Sequence, residues 1–343
     1  MTNRPLLELL KGHTPSRLPC WFMRQAGRYL PEYREMRGRA KSFLDFCYTP
    51  AMASEATLQP IRRFGMDGAI IFSDILVIPD ALGVDVRFET GTGPVLKPIQ
   101  TLSQLEGLVA NPDKLLPVYE ALRLTRKALP DETTLIGFAG APWTLACYII
   151  EGQGSRDFQK VRSAGVRDKI FFERLLGMLT KEVARHAIEQ IKAGADCIQL
   201  FDSWSGVLSE AQFEQWVIRP TSEIVATIKA AYPEVPVIGF PRMAGSKFAD
   251  YAKHTGVNAI SFDSSVSLGW ARDNLQPHIT LQGNLDPIVL ADDKDAMLAQ
   301  AKHIIATLGD KAFIFNLGHG VLPHTPVENM QALCQLVKEH RFG

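Results

Sequence analysis

"GAIIFSDI", residues 68–75, decides the fold: three consecutive large apolar residues end at Ser73 and Asp74, with no glycine-rich turn behind them. An open, doubly wound sheet binding a nucleotide would need a Gly-x-Gly-x-x-Gly phosphate turn after an early strand. None follows this run, nor "LPCWFM" (18–23) before it. Six further runs of the same kind come later: "TLIGFAG" (134–140), "CIQLFDS" (197–203), "VPVIGF" (235–240), "AISFD" (259–263), "ITLQGN" (279–284) and "AFIFNLG" (312–318). Most are continuously apolar, as suits parallel strands covered on both faces. Amphipathic helices are expected between them, most clearly at 50–64, 170–193, 209–231, 294–308 and 326–340, the last opening on Pro326 in its first turn. Eight strands with helical connections predict a single (β/α)8 barrel, a TIM barrel, as one domain over residues 1–343. An insertion at 84–116 follows the second strand, with "VRFETGTGPVLKPI" forming a hairpin around Gly91–Gly93.

Composition narrows the partners. Lys+Arg and Asp+Glu balance at 37 each, so no overall basic field recruits nucleic acid or anionic lipid, and an anionic ligand must be held by local arginines. Hydrophobic content of 46% supports a large core. "MTNRPLLELLKGHTPSR" (1–17) lacks the apolar core of a signal peptide. The uncharged stretch 133–150 is broken by Gly137, Gly140 and Pro142, which reads as strand, turn and helix start and not as a membrane span. Five scattered cysteines (20, 47, 147, 197, 334) form no Cys-x-x-Cys pair, which suggests free thiols in a reducing cytoplasm.

A barrel carries its chemistry at the C-terminal ends of its strands. There the sequence places Arg24, Asp74, Asp202 with Ser203, and His319; Tyr148 follows the third run. Arg24 and Arg28 fall on one side whether the chain is extended or helical, and Gly27 between them leaves room for a close ligand. Their position directly after a core strand favours a carboxylate clamp over a solvated helix face. Asp74 reads equally as a helix N-cap or as a fixed negative charge facing the pocket. His319, between two glycines, could form a phosphate-binding turn, a structural hydrogen bond or a ligand contact. A metal role is disfavoured, since His324 lies five residues on without a partner at ligand spacing. Taken alone, Tyr148 reads as a rim aromatic and Ser203 as a helix cap.

Together these motifs resemble the uroporphyrinogen decarboxylase family of haem biosynthesis. "PCWFMRQAGRYLPEYR" (19–34) and "GFAGAPWTLACYIIEG" (137–152) are similar to its two signatures. "IIFSDILVIPDALG", "IQLFDSWSG" and "NLGHGVLPHTP" extend the likeness across nearly the whole chain. The resemblance implies a cytoplasmic homodimer without cofactor or metal that decarboxylates the four acetate side chains of uroporphyrinogen. The substrate-binding positions it implies are Arg24, Gln25, Ala26, Gly27, Arg28, Asp74, Tyr148, Ser203 and His319. Asp74 would stabilise a pyrrole cation. Arg24 stands where a proton donor would, although a guanidinium with a pKa above about 12 is a poor acid; water or a transiently protonated Asp74 are alternatives. "GFPRMAGSKF" (239–248) matches no motif of the family. Two other classes stay open. A zinc-dependent corrinoid or thiol methyltransferase on a similar barrel would need a His-x-Cys, which is absent here, where Val321 stands two residues after His319. A non-catalytic tetrapyrrole carrier could use the same pocket.

Overall fold

The computed structural model describes residues 4–89 and 91–342. Its strands are β1 (Gly68–Ile70), β2 (Val86–Glu89), β3 (Gly93–Leu96), β4 (Thr134–Gly140), β5 (Cys197–Asp202), β6 (Val237–Pro241), β7 (Ala259–Ser261), β8 (Thr280–Leu285) and β9 (Phe313–Leu317). Seven of them form one parallel sheet in the order β1-β4-β5-β6-β7-β8-β9. The apolar run at 18–23 closes it. Phe315 N–H donates to Pro19 O (2.9 Å), Trp21 N–H to Phe315 O (3.4 Å), and Asp67 N–H to Cys20 O (2.9 Å), so this segment lies between β9 and β1 as the eighth stave.

That stave is a single bridge and not the full strand expected from its apolar run. Pro19 has no N–H to give the ladder, and the Cys20 N–H is taken by the Asp67 carboxylate at 2.9 Å. Arg17 holds the same carboxylate at 2.9 Å through Nη1.

Strand alternation sorts the side chains. Ile70, Ile136, Cys197, Ile238, Phe240, Ala259 and Ile314 pack with Trp21 and Met23 inside the barrel. Their neighbours Leu135, Ile198, Leu200, Val237 and Phe315 pack outward, in the layer beneath the helices. A polar belt crosses the interior: Trp21 Nε1–H donates to Gln282 Oε1 (2.8 Å) and Gln282 Nε2–H to Gln199 Oε1 (3.1 Å), while Gln199 Nε2 is buried without a partner.

The insertion contains the expected hairpin, β2 antiparallel to β3 with Val86 opposite Leu96. Gly91 and Gly93 turn it with φ of 86° and 89°, which side chains other than glycine rarely adopt. Helices Pro50–Phe64, Lys169–Lys192 and Lys294–Leu308 match the expected spans within a residue or so. Two expectations are corrected. Pro326 is the N-cap of Val327–Glu339, with an extended ψ of 134°, and lies outside the first turn. The helix expected at 209–231 is interrupted: Glu210–Phe213 passes through a π-turn, Glu214–Ile218, into Arg219–Ala231. Pro220 cannot donate to the carbonyl of residue 216, and a widened turn absorbs that missing bond. Among the described residues no helix is long and apolar enough to cross a membrane.

Candidate active site at the barrel mouth

The C-terminal mouth has an aromatic floor. Phe138 on β4, Phe201 on β5 and Phe240 on β6 follow one another edge to face, at 5.6 Å and 6.2 Å, and the His319 ring continues the row 6.5 Å beyond Phe240. Phe138 and Phe201 are only partly covered, so the mouth offers a flat apolar surface able to take an extended ring system.

The turn after the first stave sets the arginines. Gln25 N–H closes it onto Phe22 O at 3.0 Å. The Gln25 side chain is fully buried and used on both ends: Oε1 accepts from Phe22 N–H (3.0 Å) and Nε2–H donates to Gly68 O (3.0 Å). Gln25 therefore tethers the turn to β1 from a fully buried position. Its buried amide thus shapes the turn that carries the stretch 24–28 expected to bind substrate. Gly27 is likewise explained locally, because a Cβ there would sit 3.0 Å from Arg24 O. Ala26 is half-buried beside it.

Arg24 itself has φ of 61° and is exposed, projecting over the mouth. Its chain lies against Gly320, where a Cβ would stand 2.7 Å from Arg24 Cγ and 2.9 Å from Nε. Val321 N–H donates to Met23 O at 2.8 Å and fixes these two segments together. Arg28 is also exposed, but it acts on Tyr33, while Arg24 is the cation acting on Asp74.

Asp74 is half-buried after β1. Oδ1 accepts from Leu76 N–H at 2.9 Å. The helix beyond it, Val77–Ala81, has Leu76 as its N-cap without a side-chain bond, so Asp74 caps the turn that leads into the helix and leaves Oδ2 free of that task. Burial pushes the Asp74 carboxyl up to about 6, against the opposing pull of the Leu76 N–H and the Arg24 guanidinium. Tyr148, on helix Pro142–Glu151, stands edge to face with Trp204 at 6.2 Å. Its phenol is raised by burial and then by Asp74, and lowered by Arg24, which brings Tyr148 into the same group.

On β5, Cys197, Gln199 and Phe201 point inward and Asp202 turns outward, with Ser203 in the turn just past the strand. Asp202 accepts from Thr144 Oγ1–H at 2.5 Å beneath the helices, and burial raises its carboxyl to about 7. Ser203 caps no helix, since the short turn Ser205–Val207 has Trp204 as its N-cap. His319 is half-buried, and its Nδ1 is shut from solvent with no hydrogen-bond partner. Burial, then Arg24 and Arg242, depress its imidazole to about 3, against Asp263, so the ring is neutral at physiological pH. Ser73 Oγ and Arg242 Nε are buried and unpartnered at the same end of the barrel. Three orphaned polar atoms around one mouth mark a place where a polar ligand completes the bonding.

The structure thus brings together Arg24, Asp74, Tyr148 and His319, while Ser203 lies in the turn directly after β5. Arg242 and the phenylalanine floor were missed from sequence. The signal was present: Arg242 stands two residues past Phe240, and Phe138 and Phe201 hold the equivalent positions of their runs. Among the described residues, no three His, Cys, Asp or Glu side chains gather as a metal-holding group.

Comparison with known proteins agrees with this geometry. Residues 1–340 match the family model described as uroporphyrinogen decarboxylase (URO-D). A protein from Chelativorans sp. named uroporphyrinogen decarboxylase is 50% identical over 344 residues, covering 100% of both chains. One of the same name from Rhodospirillum rubrum is 47% identical, covering 99% of this chain and 98% of its own. Among solved structures, a methyltransferase from Methanosarcina mazei superposes with a TM-score of 0.81 at 19% identity, covering 99% of each chain. A B12-independent methionine synthase from Shewanella superposes with a TM-score of 0.58 at 13% identity, covering 84% of this chain and 86% of its own. These two share the barrel and support nothing finer.

Proposed function

The chain belongs to the uroporphyrinogen decarboxylase family, and from that premise we infer how its barrel mouth serves the reaction. The protein is a carboxy-lyase that converts the four acetate side chains of uroporphyrinogen to methyl groups, releasing four CO2 and coproporphyrinogen. The carrying observation is Asp74: a poorly solvated carboxylate with one oxygen bonded only to the Leu76 N–H, facing Arg24 above an apolar floor.

Such a carboxylate suits converging pyrrole N–H donors and a developing positive charge. A proton adds to a pyrrole carbon beside the acetate-bearing position, giving a ring cation. The bond to the carboxylate carbon breaks, its electron pair neutralises the ring, and CO2 leaves. A second proton converts the exocyclic methylene to methyl, and loss of the first restores the pyrrole. The substrate is its own electron sink. Asp74 lowers the energy of the cation, an effect worth about 3–4 kcal/mol for a preorganised charge. Arg24 and Arg28 hold carboxylates that are not reacting, main-chain groups of 25–27 line the turn, and Tyr148, Ser203 and His319 hydrogen-bond side chains of the macrocycle.

Anaerobic incubation of the purified protein with uroporphyrinogen and no additive tests this. Oxidation and chromatography should reveal porphyrins with progressively fewer carboxylates. Tight binding without CO2 release would leave only the carrier reading. One domain acting as a cytoplasmic homodimer completes this reading, with the five buried, unpaired cysteines suited to a reducing compartment. Light scattering should return twice the chain mass.

His319 acts here as a neutral hydrogen-bonding group. His319→Asn should therefore lower kcat/KM about tenfold, the worth of one good hydrogen bond. It should also let partly decarboxylated porphyrinogens accumulate, because the macrocycle is less firmly oriented after each turn. A product pattern identical to the parent protein's would exclude this orienting role.

A further inference from the structure

Arg242 opens the turn directly after β6, two residues past Phe240, which faces the barrel interior and lies 6.5 Å from the His319 ring. Its main chain is held on three sides: its N–H donates to Asp202 O at 3.1 Å, its carbonyl accepts from Ser205 Oγ–H at 3.0 Å, and the next residue's N–H donates to Asp263 Oδ2 at 2.7 Å. Met243, which makes that last bond, has φ of 60°. The loop is therefore built to present this one side chain.

The guanidinium has no protein counter-ion. Among the described residues Arg242 forms no ion pair, and its Nε–H is buried without an acceptor. Neither of two neighbouring strand-end carboxylates forms an ion pair with it, although Asp202 Oδ2 is itself buried without a partner. Asp263 takes the Met243 and Ser265 N–H groups (2.7 and 3.1 Å), and Asp202 points outward to Thr144. A half-buried cation without a counter-ion is costly and calls for an anion from outside. The neutral His319 ring lies within electrostatic reach of both Arg242 and Arg24, so the two guanidiniums share one mouth.

We propose that Arg242 is a further substrate-binding residue, gripping a non-reacting carboxylate of uroporphyrinogen on the opposite side of His319 from Arg24. This deepens the decarboxylase reading above and rests on it. The carboxylate is a spectator for an energetic reason. Decarboxylation drains charge from the carboxylate that leaves, so a guanidinium on that group would favour the ground state over the transition state. Held on a spectator, the same bond contributes to binding alone.

The test is steady-state kinetics of Arg242→Gln and Arg242→Lys with uroporphyrinogen, beside the parent protein. An inactive parent protein would remove the decarboxylase reading itself and this assignment with it. With an active parent, Arg242→Gln should raise KM at least about tenfold, as expected for a lost charge-assisted bond, with kcat little changed. Arg242→Lys should recover part of the loss, since it keeps the charge without the fork. An unchanged KM in Arg242→Gln, or a fall in kcat alone, overturns the assignment. If the glutamine variant does not fold, an unchanged KM in Arg242→Lys overturns it equally.

Discussion

Asp74→Asn should reduce turnover of uroporphyrinogen at pH 7.5 by about a hundredfold or more while leaving the protein at least as stable as its parent. Asparagine keeps the shape and the acceptor for Leu76 N–H, and removes only the charge. If that charge stabilises a ring cation, the loss is that of one preorganised group, about 10²–10³ in rate. Stability should move the other way. The Asp74 carboxyl sits at about 6 in the fold, above its ordinary value, so ionising it disfavours folding. Its contribution is neutral where both states are protonated, below about 4, turns unfavourable as pH rises from about 4 to 6, and is fully so above 6. At neutral pH that cost is about 2 kcal/mol once partial solvation is allowed for, and asparagine removes it. A higher melting temperature with crippled turnover would be the signature of a functional carboxylate. The parent's kcat/KM should fall on the acid side with a midpoint near pH 6, where Asp74 takes up its proton, and the variant should lack that limb. Turnover within tenfold of the parent would rule out the cation role.

Gly320→Ala is expected to disable the site from behind. The new Cβ would stand 2.7 Å from Arg24 Cγ and 2.9 Å from Nε, too close to coexist with the present Arg24 conformer. Gly320 does not occupy the left-handed region, so alanine suits its backbone and the fold should persist. Arg24 must swing away from Asp74. We expect kcat/KM to drop about thirtyfold, since a small displacement of a positioning group is costly, with little change in melting temperature. Losing its cation, Asp74 should titrate higher, and the acid limb of kcat/KM should move up in pH. Normal kinetics in this variant would mean that Arg24 has no fixed task over the mouth.

Much of this barrel was readable from the chain. Runs such as "TLIGFAG" and "AFIFNLG" are too short and too uniformly apolar for anything but covered strands, and they became β4 and β9. Barrel geometry pointed to the polar residues after them, and the family resemblance, not their own chemistry, named Asp74, Tyr148, Ser203 and His319 as binding positions. The first stave was misjudged because apolarity does not report a missing N–H partner. The helix expected over 209–231 was misjudged because its periodicity survives a π-turn.

The amino-acid order by itself settled the period of each segment, and with it eight staves, the hairpin insertion and the residues that end each strand. Only the tertiary structure decided which of those residues face the ligand. It turned Gln25 inward, set Arg24 over Asp74, sent Asp202 under the helices and left Arg242 without a counter-ion at the mouth. The reason is physical: a side chain's direction follows from strand parity relative to its neighbours, and its freedom to bind depends on whether distant groups have already taken its hydrogen bonds. Neither is a property of local sequence.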